Sequence, residues 1–197
     1  MIVEYLTKII IGYLMGDFIM GIYHWLKDTY FSPFTPIIGK RFIWGSRLHH
    51  IRPKYVTKFS NFHLFWSSSM WTFLWMGPLL YMSELNTFMM SLFLTISLND
   101  VIHKYAHMTD HDRPKLATFM QKIYIFQSYN EHHLHHIYPH EMNYCPVSPY
   151  LNIMLEYVNF WRFFERIIEK YLGIYPRVKL DKYVEDVNYL AGIKFVE

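Results

Sequence analysis

Hydrophobic residues concentrate in three long stretches in the first half of the chain, at residues 5–25, 62–82 and 87–102. A helix needs about 20 apolar residues to cross the hydrocarbon core of a bilayer, and each stretch reaches or approaches that length. The short segment 83–86 connects the second stretch to the third. The pattern therefore predicts an all-α protein, a small bundle of helices that spans a membrane several times.

The distribution of basic residues predicts the orientation of these helices. Segment 83–86 has no lysine or arginine, whereas segment 26–60 carries Lys27, Lys40, Arg41, Arg47, Arg52, Lys54 and Lys58. Because basic loops remain on the cytoplasmic side of a membrane, we expect segment 26–60 in the cytoplasm and segment 83–86 on the other face. The N-terminus is then outside, and all the histidine clusters lie at the cytoplasmic face.

Apolar and charged residues alternate at helical spacing in the second half of the chain. Residues 151–172 follow this pattern and predict an amphipathic helix, which ends at Gly173. Such a helix lies in the membrane interface or, as an equal alternative, packs on the rest of its own domain. Residues 116–126 predict a shorter helix of the same kind.

Composition narrows the class of protein. Hydrophobic residues make up 52% of the chain and charged residues only 18%, which points towards lipid. The length of 197 residues predicts a single domain over residues 1–197. The net charge of +3 does not argue for a nucleic-acid partner. The single cysteine, Cys145, excludes an internal disulfide and favours a reducing compartment. No removable signal peptide is evident.

The first apolar stretch contains small residues and one carboxylate. Gly12, Gly16 and Gly21 would let another helix approach closely, with chance occurrence of glycine as the alternative. Asp17 is costly within an apolar run, so we expect it to face a polar interior or a partner. It is also a further candidate to bind or orient a metal.

Twelve histidines are present, and most fall into clusters at one-turn spacing, which is typical of metal sites. His24 and Asp28 share a helix face, so Asp28 could orient a ligand, with a helix-end ion pair as the alternative. Asn99 lies on one stripe with His103 and His107 and could bind a metal through water or orient a ligand. Eight histidines are the candidate metal ligands: His24, His49, His50, His103, His107, His132, His135 and His136.

The remaining histidines are weaker candidates. His140 follows Pro139, which we expect to end the preceding helix, and it is equally a ligand or a structural residue. His133 points about 100° away from its neighbour and is expected near the surface or behind the ligands. His63 and His111 stand alone and are expected to be structural or exposed.

Eight imidazoles and almost no cysteine favour two metal ions over one structural zinc. Iron suits redox chemistry, although ligand type alone does not distinguish iron from zinc. A zinc protease needs H-E-x-x-H on a helix. The run that begins at His140 ends in Tyr144, and the run that begins at His103 has Lys104 in place of glutamate, so this class is excluded.

Four ordered motifs resemble those of the plasmanylethanolamine desaturase family, also called the Kua or lipid desaturase domain, over about residues 10–180. They are Gly16-Asp17-Phe18 with Gly21, His24-Trp25 and Asp28; His49-His50 with Pro53; Asn99 with His103-Lys104 and His107; and His132 with His135-His136, Pro139-His140-Glu141 and Tyr144-Cys145.

The resemblance implies a small helical membrane protein with two irons held by histidines at the cytoplasmic face. It implies oxygen-dependent removal of two hydrogens from a lipid chain, which in the ether-lipid members forms the vinyl ether of plasmalogens. The electron donor would be a b-type cytochrome or a ferredoxin. The membrane would be the endoplasmic reticulum in a eukaryotic cell or the inner membrane of a bacterium.

Two departures from the family pattern bear on activity. Relatives usually carry a histidine near Phe59, for which His63 could substitute from one turn away, and Glu131 precedes His132 where relatives often have a histidine. A fatty-acyl desaturase or hydroxylase and a non-enzymatic metal-binding protein remain the alternatives. Lys54 and Lys58 could hold a lipid headgroup or simply reflect the bias of basic residues towards the cytoplasmic side. Four aromatic residues could line an acyl slot, although packing at the membrane interface is favoured for most of them: Trp66, Trp71, Phe73 and Trp75.

Overall fold

The computed structural model describes residues 1–82, 85–180 and 182–192, and these residues form helices and connecting loops without a strand. Ser83 and Glu84, in the predicted connecting segment, lie outside the described residues. The helices are α1 (Ile2–Thr29), α2 (Trp44–Ile51), α3 (Asn61–Met82), α4 (Thr87–Ala106), α5 (Lys115–Lys122), α6 (Tyr129–His135), α7 (Pro149–Tyr157), α8 (Phe160–Leu172) and α9 (Lys182–Gly192).

Helices α1 and α4 pack closely along each other, and α3 also packs on α4. The small residues of α1 make this approach possible. A Cβ atom on Gly12 would lie 2.6 Å from the backbone oxygen of Phe88, and one on Gly16 would lie 2.8 Å from Cβ of Thr95. The prediction of a close helix contact at these two glycines is confirmed.

A buried lysine connects the end of α4 to the start of α3. Nζ of Lys104 donates to the backbone oxygen of Phe59 at 2.8 Å and to the side-chain oxygen of Asn61 at 2.9 Å. At the opposite end, Asn86 caps α4 by accepting from the backbone N–H of Met89 at 3.1 Å. The lysine contacts connect the end of α4 that carries His103 to the start of α3, and the cap holds the other end of α4.

Within the described residues, α1 alone is long and apolar enough by composition to cross a bilayer. It runs from Ile2 to Thr29 and is longer than the predicted stretch. Helices α3 and α4 have 22 and 20 residues, which is a sufficient length, but they do not reach the same mean hydropathy. Polar residues in both helices and the tryptophans of α3 are the reason, and the several-span arrangement stays a prediction.

The single amphipathic helix predicted for residues 151–172 is wrong, because two helices occupy this segment. Asn159, with a φ of 51°, adopts the left-handed conformation that ends α7 and precedes α8. Gly173 ends α8 with a φ of 66°, as predicted. The shorter predicted helix at residues 116–126 is observed over Lys115–Lys122, where α5 leaves Leu116 and Phe119 exposed.

Helix α8 packs one face on its own domain and leaves the other face exposed. Trp161 is buried against Trp25 and Tyr144, and Glu165 accepts a hydrogen bond from the indole of Trp25 at 2.9 Å. On the outside, Phe163 and other large apolar side chains remain accessible. The alternative in which this segment packs on its own domain is therefore observed for α8, and a position in the membrane interface stays a prediction.

Candidate metal centre

Nine side chains, from α1, α2, α4 and α6 and from the residues that directly follow α4 and α6, converge in two adjoining groups that could each hold a metal ion. Within each group, the potential ligand atoms lie within 4.8 Å of one another. The first group has only imidazoles and the second combines three imidazoles with one carboxylate. The first group is His49, His103, His107, His132 and His136, and the second is His24, Asp28, His50 and His135.

In the first group the Nε2 atoms of the imidazoles face one another. Nε2 of His132 lies 2.9 Å from that of His103 and 3.0 Å from that of His136. Nε2 of His49 lies 3.0 Å from that of His136, and the His103 and His107 atoms are 3.3 Å apart. Five ring nitrogens thus surround one small volume.

In the second group the carboxylate of Asp28 faces three imidazoles. Its Oδ2 atom lies 3.0 Å from Nε2 of His24 and 3.4 Å from Nε2 of both His50 and His135. The last two nitrogens are 3.0 Å apart. Its Oδ1 atom accepts from the hydroxyl of Ser46 at 3.1 Å. The carboxylate can therefore bind a metal through Oδ2 while Oδ1 is held by the protein.

Helix geometry explains why neighbouring histidines serve different groups. Adjacent residues of a helix point about 100° apart, so His49 turns to the first group and His50 to the second. In α6, His132 contributes to the first group and His135 to the second. The ring centroids of His50 and His136 are only 5.3 Å apart, so the two groups form one continuous site.

The hydrogen bonds of two histidines show which ring nitrogen carries the hydrogen. Nδ1 of His24 donates to the backbone oxygen of Tyr144 at 3.0 Å, and Nδ1 of His135 donates to that of Met142 at 2.8 Å. A carbonyl oxygen only accepts, so each Nδ1 bears the hydrogen and each neutral ring presents a lone pair at Nε2. The lone pairs point into the site.

This arrangement fits bound cations. Facing lone pairs at about 3 Å repel each other unless a positive ion lies between them, and two nitrogens at right angles around one ion, each about 2.1 Å from it, are about 3.0 Å apart. Oδ2 of Asp28 is buried and lacks a hydrogen-bond donor, as expected of an atom that faces a metal. A nitrogen-rich donor set suits iron, zinc or copper.

Burial keeps four imidazoles of the first group neutral. It lowers the pKa of His49 and of His132 well below the ordinary value, and the neighbouring imidazoles add to the effect. For the same reasons, burial first, the pKa of His107 falls to about 3 and that of His136 to about 2. At neutral pH the rings are therefore in the form that binds metal.

Asp17 belongs to neither group, and its contacts lie elsewhere. The carboxylate is buried and accepts from the backbone N–H groups of Val147 and Ser148, at 2.9 and 3.0 Å, and from the Ser148 hydroxyl at 2.8 Å. It connects α1 to the segment that precedes α7. The expectation of a polar partner for this carboxylate is confirmed.

His63 and His140 also lie outside both groups. His63 is exposed on α3 and stacks on Phe59, with ring centroids 5.5 Å apart, so it does not substitute for a missing ligand. His140 is buried, donates from Nδ1 to the backbone oxygen of His135 at 2.9 Å, and stacks on His50 with centroids 4.3 Å apart. It therefore supports two members of the second group from behind.

The other sequence-based expectations concern Asn99, His133 and the end of α6. Asn99 is buried and donates to Asp100 at 2.8 Å, while its side-chain oxygen has no protein donor. His133 is exposed and stacks on Tyr129, as expected for a surface residue. Helix α6 ends at His135, before the end that was predicted next to Pro139. The backbone N–H of His136 bonds to the carbonyl of His133, three residues earlier, so the α-helical hydrogen-bond pattern does not continue.

The aromatic residues of α3 are mostly on the outside of the protein. Trp66, Trp71 and Trp75 are exposed, which favours the lipid-facing alternative over an acyl slot beside the histidines. Phe73 does line an open apolar groove of about 290 Å³ between α3 and α4. Because the groove is near the start of α4 and His103 near its end, the two are separated by about 20 Å.

Sequence reasoning missed three residues that hold the candidate ligands. Nδ1 of His132 lies against the side chain of Gln127, Nδ1 of His50 contacts the hydroxyl of Tyr183, and the buried Arg47 lies beside Asp28. From the sequence, Arg47 was one of the basic residues of segment 26–60, and nothing indicated a role at the metal centre. No spacing rule links Gln127 or Tyr183 to the motifs.

Comparison with known proteins identifies the family. The sequence profile of the lipid desaturase domain matches residues 13–179. The whole chain is 58% identical to a probable fatty acid desaturase of Acanthamoeba polyphaga mimivirus and covers 98% of that protein. No solved structure matches the chain.

Two more distant relatives have names that refer to ether lipids. Over 91% of its length the chain is 31% identical to plasmanylethanolamine desaturase 1 of Mus musculus, covering 70% of that protein. Over 87% of its length it is 29% identical to the plasmanylethanolamine desaturase of Myxococcus xanthus, covering 63% of it. The resemblance carried by the four motifs is confirmed: the chain belongs to the lipid desaturase family and is an oxidoreductase of the desaturase type.

Proposed function

We propose that this protein is a membrane-bound di-iron desaturase that converts an alkyl ether phospholipid, plasmanylethanolamine, to the vinyl ether of a plasmalogen. The reaction removes two hydrogens from the lipid chain and uses oxygen and two external electrons, so that oxygen is reduced to water. The observation that carries the proposal is the convergence of eight imidazoles and Asp28 in two adjoining groups.

Each group would hold one iron, and the two irons supply, when bound and reduced, the oxygen chemistry that side chains cannot perform on an unactivated carbon. The protein positions the ligands. The backbone oxygens of Tyr144 and Met142 fix the rings of His24 and His135 in one orientation. Asp28 supplies a negative charge to the second group alone, so the two positions differ in their electrostatics.

Apolar packing behind the second group excludes water from that side. The ring centroid of Tyr144 lies 5.9 Å from that of His24 and 5.4 Å from that of His135. Tyr144 in turn packs on Trp161, with centroids 5.1 Å apart. A dry wall strengthens the ligand–metal interactions and limits side reactions of activated oxygen with water.

A fatty-acyl desaturase is the second candidate, because the viral relative, which is 58% identical, is named a probable fatty acid desaturase. The two candidates share the metal centre and act on lipids. They differ in the chain that loses hydrogen, which is an alkyl chain joined through an ether bond in the first candidate and a fatty-acyl chain in the second. The ether-lipid candidate rests on the names of the mouse and bacterial relatives. A non-enzymatic role is not retained, since the family is one of desaturases.

For the membrane arrangement we propose that α1, α3 and α4 cross the bilayer and that the metal centre lies at the cytoplasmic face. In support, the candidate ligands of α1 and α4 occupy the ends of these helices next to the basic segment. Lys54 and Lys58, both exposed, are candidates to contact a phosphate headgroup. A b-type cytochrome or a ferredoxin would deliver electrons, and the host membrane would be the endoplasmic reticulum in a eukaryotic cell.

Expression in cells that lack plasmalogens tests the proposal. A vinyl ether is cleaved by mild acid and an ordinary alkene is not, so acid-released aldehyde reports the proposed product. We expect acid-labile lipid with the natural chain and with the matched control His133→Ala, and none with His132→Ala. A new acid-stable alkene would favour the fatty-acyl candidate, and no new lipid from any variant, with the protein present, would contradict both.

A further inference from the structure

Helix α9 contacts the candidate metal centre through one buried tyrosine. The helix packs on α2, and the side chain of Tyr183 is almost fully buried there. Its hydroxyl lies 2.5 Å from Nδ1 of His50. Tyr183 is therefore the hydrogen-bond partner of the outer ring nitrogen of a candidate ligand in the second group.

The direction of this hydrogen bond follows from the role of His50. Nε2 of His50 lies 3.4 Å from Asp28 and 3.0 Å from His135, so Nε2 is the nitrogen that faces the metal position. A neutral ring that binds metal through Nε2 carries its hydrogen on Nδ1. Nδ1–H then donates to the phenol oxygen, which holds His50 as a backbone oxygen holds His24.

Helix α9 is itself anchored beside this site by a buried carboxylate. Asp186 accepts from the guanidinium of Arg177 at 2.9 and 3.1 Å and from the hydroxyl of Ser32 at 2.8 Å. These contacts connect α9 to the segment before it and to the loop after α1. One turn of helix separates Asp186 from Tyr183, so the anchor fixes the height of the phenol relative to His50.

Arg47 makes a second connection between α9 and the same metal position. Its guanidinium lies 4.2 Å from the ring centroid of Tyr183, and it approaches Asp28 at 3.6 Å and Asp186 at 3.7 Å. One of the two carboxylates is a candidate ligand and the other anchors α9. Two of the four members of the second group, His50 and Asp28, thus have contacts that lead to α9.

We propose that Tyr183 is a positioning residue for the second metal position and that α9 completes this position. The proposal rests on the metal centre put forward above. The helix lies beyond residues 13–179, the stretch matched by the family profile, so this support is not part of the matched domain. Loss of a hydrogen-bond partner behind a ligand histidine weakens metal affinity about 10- to 100-fold.

Anaerobic titration of the full chain with Co²⁺, a spectroscopic probe for nitrogen-bound metal sites, tests the proposal. We expect two binding steps in the natural protein. His24→Ala should remove the step that belongs to the second position and so assign it. Tyr183→Phe, which removes only the hydroxyl, should weaken that same step about 10- to 100-fold and leave the other step unchanged.

Tyr189→Phe is the matched control, because Tyr189 is on the same helix but is exposed and packs on Phe34. It should leave both steps unchanged. The unfolding temperature of each variant without metal separates positioning from a purely structural role. A structural role predicts that Tyr183→Phe lowers this temperature and weakens both steps together, which would overturn the proposal.

The failures of the two proposals are distinguishable. If the natural protein binds no Co²⁺, the metal centre itself is contradicted. If the natural protein shows two steps and Tyr183→Phe shows the same two affinities, only the role of Tyr183 is contradicted.

Discussion

The side-chain oxygen of Gln127 lies 3.1 Å from Nδ1 of His132 and holds this ring with its Nε2 towards the first metal group. The amide is fixed at its other end, where its nitrogen donates to the backbone oxygen of Cys145 at 3.2 Å. Gln127 is fully buried and lies just before α6. One side chain thus determines the orientation of a histidine that contacts two other candidate ligands.

Replacement of Gln127 tests this relationship. Gln127→Met keeps the approximate shape but removes the acceptor, so we expect metal affinity at the first position to fall about 10- to 100-fold. Gln127→Glu retains an acceptor for His132 and should recover part of the loss. Metal titration of the two variants measures the effect, and equal affinity of Gln127→Met and the natural protein would contradict the assigned role.

Asp17 should affect stability and not metal binding. Asp17→Asn replaces an acceptor by a donor opposite the buried N–H groups of Val147 and Ser148. Because unpaired buried groups cost about 1–3 kcal/mol each, we expect a loss of that order in the free energy of unfolding. The metal content of folded protein should remain that of the natural chain, and a selective loss of metal would show that Asp17 acts at the centre after all.

Alanine should have opposite effects at two glycines, one in the contact between α1 and α4 and one on an exposed face of α2. Gly12→Ala would place a methyl group 2.6 Å from the backbone oxygen of Phe88, so the helices must separate and stability should fall by more than about 1 kcal/mol. Gly45 is exposed within α2 and has no neighbouring atom within 4 Å of its would-be Cβ. Gly45→Ala should therefore stabilise by about 0.5–1 kcal/mol. Unfolding in mild detergent compares them, and a neutral Gly12→Ala would contradict the close packing.

The metal-free protein should lose stability in mild acid. The pKa is lowered to about 3 for His107 and to about 4 for His140, by burial above all, whereas a histidine in the unfolded chain titrates near 6.5. Above pH 6.5 both states are neutral. Below it the unfolded chain binds protons that the folded chain excludes, so the free energy of unfolding falls as pH decreases towards these folded values.

Denaturation of metal-free protein at pH 7 and pH 5 measures this loss. We expect a clear decrease, with a smaller decrease in His107→Ala, which lacks one of the excluded protons. His133→Ala serves as the control because His133 is exposed and belongs to neither ligand group. Stability that is constant or rises towards pH 5 would contradict the buried, neutral state of the imidazoles.

The sequence predicted the candidate ligands better than their supports. Histidines at one-turn spacing reveal themselves because helix geometry brings them to one face, and His132, His135 and His136 converge as that spacing requires. The partners behind the rings come from distant segments. Tyr183 is 133 positions from His50, and only the tertiary structure brings them together.

The backbone conformation of single residues and loops also limited what the sequence could predict. The helical pattern of residues 151–172 continues across Asn159, but this residue adopts a positive φ and divides the segment into α7 and α8. Periodicity of apolar residues carries no information about a positive φ at a single residue. Asp17 was recognised as unusual, yet its partners at Val147 and Ser148 lie in a loop with no regular spacing.

The iron content of the purified protein after anaerobic loading with Fe²⁺ tests the central claim most directly. Two adjoining groups of ligands predict about two irons per chain in the natural protein and in His133→Ala, and fewer in both His132→Ala and His24→Ala, which each lose a ligand from a different group. An iron content near zero in the natural protein, or one that does not change in these two variants, would contradict the proposed di-iron centre.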